Sequence, residues 1–203
     1  MCIRDSILGG GIAGLASSIF LSKQGHEVTI VERNDYINEL GAGIQITPNA
    51  IRVLDALGIR NDFINLAEQS TSLSIRRAEN SALLQKVSMH RLVKDTKVGF
   101  YYLHRHKLLN LLKDNAIKNK VKIISNQYIN KIIITKDNVR ICSNDIEYDS
   151  DILIGADGLN SISRKKLNED YMPKYSGFCA FRTITTLDEL SLIHISEPTR
   201  PYW

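Results

Sequence analysis

The stretch from Ile7 to Arg33, ILGGGIAGLASSIFLSKQGHEVTIVER, constrains this chain more than any other. It reads as the end of a strand, a glycine turn, an amphipathic helix and a second strand closed by an acid. Gly9, Gly11 and Gly14 give the G-x-G-x-x-G spacing. Gly9 is expected to make the tight turn out of the strand, Gly11 to let the backbone approach a pyrophosphate, and Gly14 to let the helix pack close to the sheet. Phosphates would then sit at the helix N-terminus, against the amides of first-turn residues such as Ile12 and Ala13 and the positive end of the dipole. Ile12, Leu15, Ala16, Ile19 and Phe20 recur at helical spacing and predict one apolar face. Gly25 stops the helix. Val28–Val31 is β-branched and apolar, suited to burial in a parallel sheet. Glu32 lies eighteen positions after Gly14, near the roughly 20 expected of an acid that holds ribose hydroxyls.

The two ends read differently. Residues 1–6, MCIRDS, and 190–200, LSLIHISEPTR, resemble translations of one transposon-end sequencing adaptor in its two orientations. Residues 1–6 and 190–203 are therefore read as adaptor-derived scars and left out of the fold reading, with the genuine segment running from about Ile7 to Glu189 and the first strand clipped to Ile7–Leu8. Asp5 and Ser6 support that expectation, because polar groups are costly in a buried strand. A length of 203 residues allows one domain or one and a half. The net charge of +4 is spread over lysine-rich loops and helix faces, without a basic stripe interleaved with aromatics, so nucleic-acid binding is not indicated. Outside residues 1–6 the cysteines are Cys142 and Cys179. Without C-x-x-C spacing they indicate a reducing, cytoplasmic compartment and neither zinc nor a disulfide framework. No apolar run reaches the roughly 18 residues of a membrane span.

Gly41 to Ile59 reads GAGIQITPNAIRVLDALGI. Gly41 and Gly43 free the backbone for a close approach. Thr47 is placed to cap a helix that Pro48 begins, Ile51, Leu54 and Leu57 line one face, and Gly58 ends it. Together with the V-x-E-R strand end, this G-A-G-I-x-x-x-P-N-A segment resembles the group A flavoprotein monooxygenases, the FAD-dependent aromatic hydroxylases related to salicylate hydroxylase. The resemblance assigns Glu32 to the FAD ribose, Arg33 to the adenosine side, and the backbone of Gly41, Ala42 and Gly43 to the flavin's approach.

Further along, Ser72–Arg77 and Leu83–Ser88 predict a hairpin around Glu79–Asn80–Ser81, and Met89 to Thr96 a charged loop. Leu108, Leu111, Leu112 and Ala116 form the apolar stripe of a helix. Just before it, the resemblance carries Arg105 to the FAD pyrophosphate, a role that suits a forked guanidinium. His104 and His106 lack neighbours at ligand spacing and read as ordinary loop residues, so no metal site is expected. Strands over Tyr128–Thr135, Val139–Cys142 and Ile146–Tyr148 suggest a small β-meander, with Cys142 in its core. Asp151–Ile154 is a buried strand, and the turn Gly155–Ala156–Asp157–Gly158 lies at its carboxyl end, where ligands of open α/β sheets bind. Asn160 or Ser161 is placed to cap the next helix. By itself Asp157 could also be a turn residue bonding its own backbone. In the resembling family this is the D-G element. Asp157 with Gly158 would contact the ribose or pyrophosphate region of FAD and support the pyridine nucleotide, with Arg164 as the accompanying arginine. Arg182 stands where some members place a pocket arginine, though it reads better as an arginine on a surface strand.

The resemblance thus implies an α/β fold: a Rossmann-like FAD-binding domain of the glutathione-reductase type, a small β-meander and the start of a β-sheet substrate domain. The expected division is FAD-binding over 7–70 and 101–175, a substrate-domain hairpin over 71–100, and the substrate sheet beginning at 176–189. The implied activity is monooxygenation, with FAD as cofactor, NADH or NADPH as co-substrate, dioxygen as oxidant and an aromatic or similarly electron-rich small molecule as substrate. No catalytic acid, base or nucleophile can be assigned. The family's second flavin motif, a G-D pair, does not occur in this chain, so weak FAD binding and no activity are expected of the polypeptide as written. A flavin reductase of the same fold, a flavin-free NAD-binding module and a non-functional reading frame remain as alternatives.

Overall fold

The glycine-bearing stretch folds as strand, helix, strand in the computed structural model, which describes residues 3–35, 43–77, 79–92, 98–144, 146–170 and 172–179. In chain order the elements begin with β1 (Arg4–Leu8), α1 (Ile12–Lys23) and β2 (Glu27–Val31). There follow β3 (Gly43–Ile46), α2 (Pro48–Ala56), α3 (Arg60–Ile64), β4 (Glu68–Ser70), β5 (Ser72–Arg76), β6 (Leu83–Ser88), α4 (Met89–Leu92) and β7 (Phe100–His104). The last are α5 (Arg105–Lys118), β8 (Lys122–Ile124), β9 (Lys131–Ile134), β10 (Val139–Cys142), β11 (Glu147–Ser150), β12 (Ile152–Gly155) and α6 (Ile162–Leu167). Two compact units emerge, one within Met1–Gly41 and His106–Cys179, the other within Ala42–Arg105.

The first unit is built on a parallel four-stranded sheet in the order β12-β1-β2-β8. Ile7 pairs with Ile30 on one side and with Ile154 on the other. Ile7, Ile30 and Val31 are fully buried, as central strands of a parallel sheet must be. The antiparallel meander β11-β10-β9 is the expected one, and Ile141 and Cys142 of β10 are buried. Leu8 and Val31 of the parallel sheet share one apolar cluster with Ile129, Ile132 and Ile141. Arg140 stands opposite Asp149 and forks onto it at 2.6 and 2.9 Å, which marks the β10–β11 register on the surface. The β9 strand is shorter than its sequence suggests, Lys131–Ile134 rather than Tyr128–Thr135.

Residues 4–6 are not outside this fold. Arg4, Asp5 and Ser6 extend β1, with Asp5 between Val28 and Ile152 and Ser6 between Thr29 and Leu153. Ladder bonds join backbones and are indifferent to side chains, so polar residues enter the strand if their side chains find partners. The buried Asp5 carboxylate finds His26, whose Nδ1 lies 2.6 Å from Oδ2. Residues 190–203 lie outside the described residues, as do Arg182 and most of 176–189.

Helix faces are corrected in detail. In α1, Leu15 and Ile19 are fully buried, while Phe20 is half exposed at 53%. In α5, Leu109 rather than Leu111 joins Leu108, Leu112 and Ala116 in the core. Gly25 and Gly58 follow α1 and α2 with φ of +90° and +72°, the left-handed geometry that ends a helix.

The second unit holds an antiparallel sheet, β3-β7-β4, and the hairpin β5–β6. Its core includes Ile46, Ile51, Leu54, Leu57, Ile59, Phe63, Met89, Tyr101 and Leu103, with Phe63 and Tyr101 edge-to-face at 5.6 Å. Thr47 occupies the N-cap of α2, but its hydroxyl bonds Asn49 Oδ1 and caps nothing. The hairpin turns where expected, Ser81 adopting φ +57°. Met89–Leu92, expected as loop, is the short helix α4.

Candidate cofactor site

The carboxyl ends of β1, β2 and β12 meet at the glycine turn. Gly9 leaves β1 with φ +106°, and a Cβ there would lie 2.4 Å from the carbonyl oxygen of Ala156. The Gly9 N–H donates to Val31 O at 2.8 Å, and the Ala156 N–H donates to Leu8 O at 2.8 Å. Gly14, on the first turn of α1, has no room for a side chain, since its Cβ would stand 1.9 Å from Gly9 O. Gly11 is the opposite case: nothing lies within 4 Å of the position its Cβ would take. Gly11 is also the N-cap of α1, with no side-chain cap and no acid in the first turn. No side chain of the helix itself therefore neutralises its positive end, at Ile12 and Ala13.

Glu32 closes over this turn. Its Oε2 accepts from the Gly10 N–H at 2.6 Å, and its Oε1 accepts from the Asn34 N–H at 2.9 Å. Its own backbone is held at both ends, its N–H donating to Ile124 O and its carbonyl accepting from the Gln127 N–H. Arg33 is exposed beside it.

Asp157 sits in the turn after β12. Its Oδ1 accepts from Ser161 Oγ and Ser163 Oγ, both at 2.6 Å, and its Oδ2 accepts from the amides of Ile162 at 2.7 Å and Ser163 at 3.1 Å. Burial pushes this carboxyl up, but the two hydroxyls and the Ser163 amide outweigh it and hold the group below the ordinary aspartate value. The carboxylate thus anchors the start of α6, while Ser161 caps that helix by accepting from the Arg164 N–H at 2.9 Å. Gly155 makes room for this knot, since a Cβ there would stand 2.1 Å from Ser163 Oγ. Gly158 follows with φ +78° and open space around it. A cleft of about 520 Å³ opens beside the turn, with an apolar floor of Ile132, Ile134, Val139 and Leu153 and a rim that includes Asp157 and Arg164. Sequence reasoning does not single out Ser163; the hydroxyls four and six residues after Asp157 are the available signal.

In the second unit, Gly43 opens β3 and stands opposite His104 on β7. Arg105, the next residue, begins α5. The expected glycine approach and the expected pyrophosphate arginine therefore start from adjacent strand ends of one sheet. Gly41 and Ala42 lie outside the described residues. Among the described residues, no group of three His, Cys, Asp or Glu side chains could hold a metal ion, and no helix is long and apolar enough to cross a membrane.

A parallel sheet with a glycine turn leading into a helix N-terminus, an acid at the end of the second strand and an Asp-Gly turn beside them defines a dinucleotide-binding α/β protein. The chain belongs to the FAD binding domain family, whose pattern matches residues 5–200. It is similar to the FAD-dependent monooxygenase OpS4 of Beauveria bassiana (strain ARSEF 2860), 28% identical over 97% of this chain and 48% of that one. It is similar also to 3-hydroxybenzoate 6-hydroxylase of Klebsiella oxytoca, 30% identical over 90% of this chain and 46% of that one. Among solved structures, p-nitrophenol 4-monooxygenase PnpA from Pseudomonas putida DLL-E4 shares the fold with a TM-score of 0.74, at 21% identity, over 82% of this chain and 44% of that one. The chain spans about half the length of the curated relatives it matches.

The site fits the ADP half of FAD. Among the described residues, nothing occupies the space beside Gly11, where a ligand could approach the backbone. The uncapped α1 terminus suits a diphosphate. Glu32 has acceptor capacity left for ribose hydroxyls beyond its two backbone bonds.

Proposed function

We propose that this chain carries the FAD-binding part of a monooxygenase that uses NADH or NADPH and dioxygen to hydroxylate an aromatic or similarly electron-rich small molecule. The observation that carries the reading is the pairing of an unobstructed Gly11 with Glu32 bonded across to Gly10. It leaves a helix N-terminus open to an anion beside an acceptor for the ribose. Bound FAD would supply the redox and oxygen-transfer chemistry; the protein would position it.

In this reading the amides of Gly11, Ile12 and Ala13 hold the diphosphate, with Gly9 and Gly14 shaping the turn. Glu32 accepts from the ribose, and the exposed Arg33 lies toward the adenine. The backbone of Gly41–Gly43 admits the flavin, and Arg105 adds a forked cation for the diphosphate. Asp157, already bonded to α6, acts mainly by holding the Gly155–Gly158 turn against Gly9, with Gly158 leaving room for the cofactor. The hairpin over 71–100 and the segment from 176 belong to the substrate side. Hydroxylases acting on 3-hydroxybenzoate and 3-amino-4-hydroxybenzoate among the relatives support a phenolic or anilinic substrate class. The cysteines among the described residues, Cys142 buried and Cys179 exposed, are both free and favour a reducing compartment such as the cytoplasm.

Equilibrium dialysis of the 203-residue chain with FAD, with ADP as competitor, tests the site. Saturable binding displaced by ADP is the expected result, and no binding of either would overturn the reading. Incubation of the full-length protein with FAD, NADH, ¹⁸O₂ and phenolic acids tests the activity: flavin reduction without ¹⁸O in any product would point to a reductase instead.

A further inference from the structure

The Gly10 amide is buried in the middle of the phosphate loop, and a buried N–H requires an acceptor. Its acceptor is Glu32, 22 positions away in sequence, at 2.6 Å. The second oxygen of the same carboxylate accepts from Asn34. One side chain therefore cross-links the loop after β1 to the loop after β2. Bonds of this kind, with an ionised acceptor, are shorter and about twice as strong as neutral ones.

We infer that Glu32 is a positioning residue for the diphosphate as well as an acceptor for the ribose. Its carboxylate clamps the Gly10 and Asn34 amides, fixes the shape of the glycine loop before any nucleotide arrives, and leaves the diphosphate to the amides of Gly11, Ile12 and Ala13. Two features of the site support this. The Gly10 amide is engaged by a negative charge, so a phosphate oxygen is disfavoured there, whereas space is open at Gly11. The clamp also leaves capacity for the ribose, because two of the roughly four lone-pair positions of a carboxylate remain unused. Ribose recognition and diphosphate recognition are then coupled through one residue, and the direction in which the dinucleotide lies across the sheet follows from it. An aspartate, one methylene shorter, would not span both loops.

This inference rests on the cofactor reading above, and two measurements separate them. Amide hydrogen exchange by NMR on the ligand-free 203-residue chain reads the clamp alone. Calorimetric titration with ADP and with 2′,3′-dideoxy-ADP, which lacks the ribose hydroxyls, reads the coupling. In the native chain the Gly10 and Asn34 amides are expected to exchange at least tenfold more slowly than in Glu32→Ala. In Glu32→Gln, which offers one acceptor oxygen where the carboxylate offers two, one of the two amides keeps its protection and the other loses it. Dideoxy-ADP is expected to bind Glu32→Ala at least fivefold more weakly than the native chain, although Glu32 has no ribose hydroxyl to contact in that ligand. Unchanged exchange at Gly10 in Glu32→Ala, or undiminished affinity for dideoxy-ADP, would overturn the clamp. Failure of the native chain to bind ADP would overturn the cofactor reading and leave the exchange result standing. Should Glu32→Ala lose its circular dichroism, Glu32→Gln decides alone: no change at either amide refutes the inference.

Discussion

A Cβ placed on Gly14 would stand 1.9 Å from the carbonyl oxygen of Gly9, so helix α1 touches the turn that precedes it backbone to backbone. Neither partner is a flexible side chain that could move aside. Gly14→Ala is expected to lower stability by about 3 kcal/mol, the upper part of the range for overpacking. FAD affinity should fall with it, because displacing α1 moves the diphosphate amides. Urea denaturation followed by flavin titration checks both.

Gly11→Ala separates the two effects. Nothing in the ligand-free protein meets the added methyl, so the cost to folding should stay within about 1 kcal/mol, the range for an unfavourable N-cap residue. The methyl would occupy the space proposed for the diphosphate. Near-native urea midpoints with at least tenfold weaker ADP binding are expected. Unimpaired ADP binding would place the phosphates elsewhere.

His26 is the partner of a buried carboxylate, Asp5. The Asp5 side chain is inaccessible to solvent, and its Oδ1 has no hydrogen-bond partner. His26→Leu would leave that carboxylate unpaired at a cost of about 3–5 kcal/mol. The double variant Asp5→Leu, His26→Leu removes both polar groups and should recover most of the loss. A thermal-melt double-mutant cycle measures the difference.

Asp157 gives the protein an acid-sensitive contribution. Its carboxyl is held below the ordinary aspartate value by Ser161, Ser163 and the Ser163 amide, against the opposing effect of burial. Folding is therefore favoured by the ionised form. This stability is fully present above the unfolded-state value, about 3.9, and is lost as the pH falls through the lower folded-state value. Asp157→Asn should reduce stability near neutral pH by about 1–2 kcal/mol, the effect of removing a helix-terminal carboxylate. Its urea midpoint should also decline less between pH 5 and pH 2 than that of the native chain. Parallel slopes would show that Asp157 is not the group responsible.

Much of the site was legible in the residues because its demands are local. Positive φ at Gly9, a methyl-free surface at Gly11 and a helix stop at Gly25 each depend on a few neighbouring atoms. The hairpin over 72–88 and the helix from Pro48 were readable for the same reason. Other features needed partners that are distant in sequence. Leu109 replaced Leu111 in the core, and Phe20 turned outward at 53% exposure, because helical periodicity gives a stripe but not which edge of it meets the sheet.

The sequence by itself determined that a glycine turn joins two apolar strands and that an acid ends the second, since backbone geometry and short-range periodicity suffice for both. Only the tertiary structure decided that β12 lies beside β1, bringing Asp151 to Arg4 across 147 positions and Ala156 against Gly9. It alone admitted Asp5 to the central strand through His26, and turned Glu32 toward Gly10. The physical reason is common to all three. Strand pairing is made by backbone groups that every residue shares, so the identity of a distant neighbour, and what a buried carboxylate can bond to, is settled only when the chain closes on itself.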